Sequence, residues 1–156
     1  MFNDKTVLVT GSGRGIGKAI ALHFANLGAN IVVNFFRNRK PAEETAAEIE
    51  KLGRKVIVVK ANVGDTDAIQ ELFDQTKDTF GGLDIFVNNA ASGYNRPVMK
   101  QKVKGWDWTM DINARAFLFA AQQAVKLMES RGGGHIVAIT SPGGDRVMPE
   151  YVVVGA

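Results

Sequence analysis

The chain has 156 residues, of which 46% are hydrophobic and 22% are charged, and its net charge is +3. This length and composition fit one globular domain with its own core. The absence of cysteine excludes disulfides and thiolate metal sites, and no apolar run reaches the roughly 20 residues of a membrane span.

The remaining composition gives expectations for location and partners. The N-terminus lacks the charged and apolar regions of an export signal, so we expect a cytoplasmic protein. Lys100, Lys102 and Lys104 form the densest basic stretch, which is typical of a solvated loop, so we expect no nucleic acid or membrane partner. His23 and His135 have no ligand-forming residue at suitable spacing, so no metal site is predicted.

Short apolar runs alternate with segments of helical periodicity along the whole chain. The runs predict strands at 6–10, 30–35, 55–60, 83–88 and 135–140. The periodic segments predict helices at about 15–27, 41–52, 66–80 and 105–129. Because each strand is apolar on both faces, helices are expected to cover both sides. The pattern predicts an α/β fold in which a Rossmann-type, doubly wound parallel sheet of five strands forms the middle of three layers.

Local signals predict several helix ends. Pro41 suits the first position of the second helix, and Gly28 and Gly53 suit positions just after helices. Asp65 or Thr66 is expected to cap the third helix.

A glycine-rich turn joins the first strand to the first helix. Glycines allow unusual dihedral angles and let a pyrophosphate approach the backbone, and the helix N-terminus offers free N–H groups. The alternative is a tight turn without a ligand, but the strand–turn–helix context favours phosphate binding. The predicted phosphate-binding residues are Gly11, Ser12, Gly13, Arg14, Gly15, Ile16 and Gly17.

Polar residues also follow the later strands, where ligands bind in such sheets. Together with the turn, Asn88-Asn89-Ala90-Ala91, Asn113, Ser141 and Tyr151 resemble the motifs of the short-chain dehydrogenase/reductase family. The resemblance covers essentially the whole chain. It implies that Asn88 and Asn89 fix the cofactor cleft, that Ala90 packs beside the adenine ribose with Ala91 also in the cofactor site, and that Asn62 and Val63 lie beside the adenine. A plain turn is the alternative for Asn88 and Asn89.

The spacing of Ser141 and Tyr151 is specific within that family. Most members place the catalytic tyrosine thirteen residues after the serine, but that position is Val154, and Tyr151 follows Ser141 by ten. If the family's lysine keeps its usual distance from the serine, it lies seven residues after Tyr151, beyond Ala156. This arrangement is similar to enoyl-acyl-carrier-protein reductases, most of all to the NADPH-dependent type III reductases of bacilli.

The resemblance implies roles for three catalytic candidates. Tyr151 would donate a hydrogen bond to the substrate oxygen, Ser141 would contact substrate or order its loop, and Asn113 would hold a helix kink and a water. The alternatives are a surface tyrosine, a turn serine and a buried structural amide. The chain would be a single NADP(H)-binding domain over residues 1–156, roughly the first three-fifths of a family member, ending before the lysine and the substrate lid.

The segment after the second strand indicates the cofactor. Sites that prefer NAD place an acidic residue there, which binds the ribose 2′-hydroxyl. Residues 34–40 contain three cations and no acid, and Arg14 faces the same corner. NADPH is therefore the predicted cofactor, with Arg14 and Arg37 as first candidates for its 2′-phosphate and Asn38 and Arg39 next. Solvated loop arginines are the alternative.

The leading functional hypothesis is reduction of a trans-2-enoyl thioester carried on acyl carrier protein, in fatty-acid biosynthesis. The alternatives are a 3-oxoacyl or other carbonyl reductase of the same family and a non-catalytic nucleotide-binding or assembly module. The family resemblance implies a homotetramer or homodimer formed through the helix at 105–129. Core or interface positions are expected for Trp106, Trp108, Phe117 and Phe119.

Overall fold

The computed structural model describes residues 2–156, and strands and helices alternate along it as predicted. The strands are β1 (Thr6–Val9), β2 (Asn30–Phe35), β3 (Val56–Lys60), β4 (Ile85–Asn88) and β5 (His135–Ala138). The helices are α1 (Gly15–Asn26), α2 (Arg39–Lys51), α3 (Thr66–Phe80), α4 (Val103–Met110), α5 (Ala116–Glu129) and α6 (Val152–Gly155). Single 3₁₀ turns lie at Val98–Lys100 and Pro142–Gly144.

The five strands form one parallel sheet in the order β3-β2-β1-β4-β5. In this order β1 lies at the centre, where Val9 pairs with Val33 of β2 on one side and Val87 of β4 on the other. Chain connections leave β1 in opposite directions, so a crevice opens at the carboxyl ends of β1 and β4. The predicted doubly wound sheet is confirmed.

Alternate side chains of the central strand enter two separate core clusters, because successive residues of a strand face opposite sides. Leu8 packs with residues of α3 and α5, including Phe73 and Ala120. Val7 and Val9 pack on the other side with residues of α1 and α2. The sheet is thus the middle of three layers, as predicted.

Most predicted helix ends are confirmed. The Asp65 carboxylate accepts hydrogen bonds from the N–H groups of Asp67 (2.9 Å) and Ala68 (3.3 Å), which caps α3. Gly28 and Gly53 follow α1 and α2 with positive φ angles. The position of Pro41 differs from the prediction, because α2 begins at Arg39. Proline is tolerated there since the first turn leaves its N–H groups unpaired.

The long helix predicted at 105–129 is interrupted. Between α4 and α5 lies one turn of π-helix, Asp111–Arg115, which includes Asn113. A π-turn widens the helix locally and is often found at functional sites. The interruption lies beside the crevice, because Ile112 contributes to its wall.

Strand β5 departs from the prediction that every strand is buried on both faces. Its residues are exposed, and Val137 keeps 46% of its surface accessible. Strand β5 lies at the sheet edge, where β4 is its only strand neighbour among residues 2–156. Within the same residues, no helix combines the length and the apolarity needed to cross a membrane.

Candidate functional site

A cleft of about 510 Å³ opens at the carboxyl ends of the central strands. Its lining includes every predicted phosphate-binding and adenine-side residue except Ser12 and Arg39. These are Gly11, Gly13, Arg14, Gly15, Ile16, Gly17, Arg37, Asn38, Asn62, Val63, Asn89, Ala90 and Ala91. Sequence motifs separated by up to eighty positions therefore meet in one cavity.

The glycine turn leaves backbone facing this cleft. Gly15 has a φ of +57° and a Cβ at that position would meet no atom within 4 Å, so the space beside it is open. Helix α1 begins there with no side-chain cap and no acidic residue in its first turn. Uncapped N–H groups and the positive end of the helix dipole favour an anion such as a pyrophosphate. The residues present fit a phosphate-bearing cofactor.

Hydrogen bonds hold the turn against the loop after β4. The buried Thr10 hydroxyl accepts from the N–H groups of Asn89 and Ala90, both at 3.0 Å. The Asn89 amide donates to the carbonyl oxygen of Thr10 at 2.8 Å. The two cleft walls are thereby fixed relative to each other.

Asn34, near the end of β2, is a cleft residue that the sequence analysis did not assign. Its side-chain oxygen accepts from the N–H of Gly11 (3.1 Å), and its amide nitrogen donates to the carbonyls of Val59 (3.3 Å) and Ala61 (3.2 Å). Asn34 therefore ties the glycine turn to β3. The available signal was an asparagine among the apolar residues 31–36, because a buried polar side chain needs hydrogen-bond partners.

Ser12 does not reach the cleft, contrary to the expectation that it binds cofactor. It is fully buried, its hydroxyl donates to the carbonyl of Val9 at 2.7 Å, and its N–H donates to the carbonyl of Asn34 at 3.0 Å. Its polar groups bond to Val9 of β1 and Asn34 of β2, so Ser12 anchors the turn to the sheet.

The cleft is cationic. Arg14 and Arg37 line it, and no Asp or Glu is found among the lining residues that the structure describes. Arg39, the other arginine considered for the 2′-phosphate, lies outside the lining and pairs with Glu43 at 3.4 Å. Lys40 similarly approaches Glu44 at 4.0 Å. Of the three cations after β2, only Arg37 therefore remains directed to the cleft.

Ser141 and Tyr151 are brought together at the carboxyl end of β5. The Ser141 hydroxyl lies 3.0 Å from the Tyr151 hydroxyl, and either group can donate the hydrogen bond. Both residues are half-buried, and neither lines the cleft itself. A hydrogen bond from the N–H of Arg96 to the carbonyl of Glu150 (2.8 Å) joins this segment to the loop that follows β4.

The side chain of Asn113 forms hydrogen bonds with the same loop after β4. Its side-chain oxygen accepts from the N–H of Ser92 and its amide donates to the carbonyl of Ser92, both at 2.9 Å. The Ser92 hydroxyl in turn accepts from the indole N–H of Trp108 at 2.8 Å. Trp108 packs against the core, as expected, but it also lines the cleft, which the sequence analysis did not predict.

Comparison with known proteins assigns the family. The family profile described as short chain dehydrogenase matches residues 5–156. The chain belongs to this family.

Three similar proteins illustrate the range of this family. A 1-cyclohexenylcarbonyl-CoA reductase of Streptomyces collinus is 40% identical over 148 residues, which are 95% of this chain and 52% of that protein. A 3-oxoacyl-[acyl-carrier-protein] reductase of Synechocystis sp. is 36% identical over 90% of this chain and 57% of its own length. A short chain dehydrogenase from Burkholderia cenocepacia J2315, solved in complex with NADP, has a TM-score of 0.91 and 33% identity, with 99% of this chain and 62% of that chain covered.

The chain thus spans about half the length of the curated relatives described above.

Proposed function

We propose that the protein is an NADPH-dependent reductase of α,β-unsaturated acyl thioesters, similar to the type III enoyl-acyl-carrier-protein reductases. The observation that carries the proposal is the hydrogen bond between Ser141 and Tyr151, which are ten residues apart. The relative from Streptomyces collinus supports it, because the substrate in its name has a double bond conjugated to a thioester.

The reaction requires a hydride, a proton and a hydrogen-bond donor that stabilises the negative charge developing on the substrate. NADPH, when bound, supplies the hydride to the β-carbon of the substrate. Negative charge then develops on the thioester oxygen, where a positioned hydrogen-bond donor lowers the barrier. The enolate collapses when the α-carbon takes up a proton from solvent, which gives the saturated thioester. Tyr151 is the proposed donor, and Ser141 orients its hydroxyl through their shared hydrogen bond. Asn113 would act from further away, by holding the loop at Ser92.

The cofactor proposal rests on the charge of the cleft. Arg14 and Arg37 line it without a facing carboxylate, and this balance favours a 2′-phosphate over a free 2′-hydroxyl. The relative from Burkholderia cenocepacia, which was solved with NADP, supports the same choice.

Reduction of a 3-oxoacyl thioester is the second candidate, and the Synechocystis relative favours it. That chemistry in this family pairs the tyrosine with a lysine four residues later, but position 155 is glycine. A Cβ there would lie only 2.6 Å from the carbonyl oxygen of Gly143, so the backbone leaves no room for a side chain. The observation favours the enoyl reaction.

Substrate turnover by the full-length protein tests the proposal. We expect NADPH oxidation, followed at 340 nm, with crotonyl and longer enoyl thioesters but not with acetoacetyl thioesters. Turnover of acetoacetyl thioesters alone would replace the proposal by the 3-oxoacyl reaction. NADPH binding without turnover of either class would favour a nucleotide-binding module.

Arg37→Ala tests the proposed 2′-phosphate site. Because a charge-assisted contact would be lost, we expect the Kd of NADPH to rise about tenfold or more while the Kd of NADH changes less than about threefold. Isothermal titration calorimetry measures both values. Arg39→Ala is the matched control, since Arg39 pairs with Glu43 outside the cleft lining. Equal effects of Arg37→Ala on both nucleotides would contradict the assignment.

The proposed assembly is a homodimer or homotetramer that takes up a carrier-protein thioester. It is supported by exposed apolar residues on α5, since Leu118 is 57% and Val125 45% exposed. These two residues are seven positions apart and share one face of the helix. Such a face is available for a second copy of the chain.

A further inference from the structure

The guanidinium of Arg37 lies against two aromatic rings at the mouth of the cleft. Its central carbon is 5.4 Å from the ring centroid of Trp108 and 5.7 Å from that of Phe36. The two rings are 6.5 Å apart and tilted by 41°. A cation within about 6 Å of an aromatic face is attracted by the ring's quadrupole. An exposed arginine is thereby given a defined position.

Trp108 is the anchored member of this group. It belongs to α4, packs against the core, and its indole N–H donates to the hydroxyl of Ser92 at 2.8 Å. The backbone of Ser92 is itself held on both sides by the Asn113 amide. Phe36, in contrast, is a neighbour of Arg37 on the same exposed loop and is 39% exposed. The position of Arg37 therefore depends mainly on Trp108.

Arg37 and Trp108 also form the wall between the cleft and a second groove. That groove is lined further by Tyr94, Lys104, Asp107 and Asp111. If the indole were absent, the guanidinium would have open space on that side and two carboxylates to attract it. Asp111 already pairs with Arg115 at 3.0 Å, which leaves Asp107 as the stronger competitor.

We propose that Trp108 is a specificity-determining positioning residue, which holds Arg37 toward the cleft and so sets the preference for NADPH over NADH. The proposal rests on the proposed NADPH-dependent function. It places part of the cofactor selection on α4, which is distant in sequence from the glycine turn and from the loop after β2.

The test compares Trp108→Met with Trp108→Phe in the full-length protein. Methionine keeps apolar volume and helix propensity but lacks a π face, whereas phenylalanine retains one. We expect Trp108→Met to raise the Kd of NADPH about three- to tenfold and the Kd of NADH less than about twofold, and Trp108→Phe to recover most of the loss. Trp106→Met, on the same helix and outside both cavities, is the control and should change neither value.

A double-mutant cycle with Arg37→Ala separates positioning from general packing. In the Arg37→Ala background, Trp108→Met should cause no further loss of NADPH affinity, because the group that it positions is gone. An equal rise in the Kd of both nucleotides, or a full effect of Trp108→Met without Arg37, would overturn the proposal. If Trp108→Met does not fold, Trp108→Leu decides, since it also removes the π face and an unchanged NADPH-to-NADH ratio there overturns the proposal.

The wild-type protein distinguishes this proposal from the function on which it rests. If wild type shows no preference for NADPH, the proposed cofactor fails. If wild type prefers NADPH and Trp108→Met keeps the same ratio, only the role of Trp108 fails.

Discussion

Tyr151→Phe is expected to reduce enoyl thioester turnover by about 10²- to 10³-fold, the usual effect of removing one donor to a developing oxyanion. Phenylalanine keeps the ring but has no hydroxyl, so the hydrogen bond to Ser141 is lost together with the donor. The loss should appear in kcat. The Kd of NADPH should change less than about twofold, because Tyr151 lies outside the cleft lining.

The chain offers a matched control, since Tyr94 is its other tyrosine. Tyr94 stacks with Arg96 at 4.6 Å through its ring, which Tyr94→Phe preserves. Steady-state kinetics of both variants, with calorimetric NADPH titrations, separate a catalytic role from a structural one. Full activity of Tyr151→Phe would refute the proposed donor, and a parallel loss of NADPH binding would indicate that Tyr151 supports the fold.

The sequence was sufficient to predict the architecture because the sequence signals for strands, helices and the glycine turn are local. Apolar strand runs, helical periodicity and the glycine turn each depend on neighbouring residues, and all five strands were predicted in the correct order along the chain. Parallel strands bring their carboxyl ends to one sheet edge, so residues such as Asn62 and Asn89 could be assigned to one cleft without knowledge of their contacts.

The direction of individual side chains could not be predicted in the same way. Ser12 and Arg14 belong to the same turn, but Ser12 faces inward to Val9 and Asn34 while Arg14 faces the cleft. Arg37 and Arg39 are two residues apart, but Arg39 pairs with Glu43 of α2 and lies over the ring of Phe35 at 5.2 Å. These outcomes depend on tertiary neighbours, which a linear pattern does not contain.

The interruption of the helix at 105–129 had the same cause. Its residues have helical periodicity throughout, so periodicity alone predicted one continuous helix, and only the family resemblance implied a kink held by Asn113. The π-turn at Asp111–Arg115 coincides with the paired hydrogen bonds between Asn113 and the backbone of Ser92, which come from a different part of the chain. A contact between distant parts of the chain thus accompanies the π-turn, which local helix propensity does not predict.

Gly17→Ala is expected to damage both the fold and cofactor binding. A Cβ at this position would lie 2.5 Å from the carbonyl oxygen of Gly11 and 2.6 Å from the side-chain nitrogen of Asn89. Alanine would gain about 1 kcal/mol of helix propensity. The contacts, however, are with backbone and with the amide that joins β1 to β4, so neither can move cheaply. We expect a net loss of about 2 kcal/mol in the free energy of unfolding.

A shift of Gly11 and Asn89 to make room for the Cβ would also open the cleft, because both residues are in its lining. The Kd of NADPH should therefore rise at least about tenfold, which urea denaturation and calorimetry measure together. Gly53→Ala is the control: Gly53 has a φ of +72°, but no atom lies within 4 Å of its Cβ position. It should cost about 1 kcal/mol from backbone strain alone and leave NADPH affinity unchanged. If Gly17→Ala also left affinity unchanged, the close approach of α1 to the β4 loop would not be what shapes the cleft.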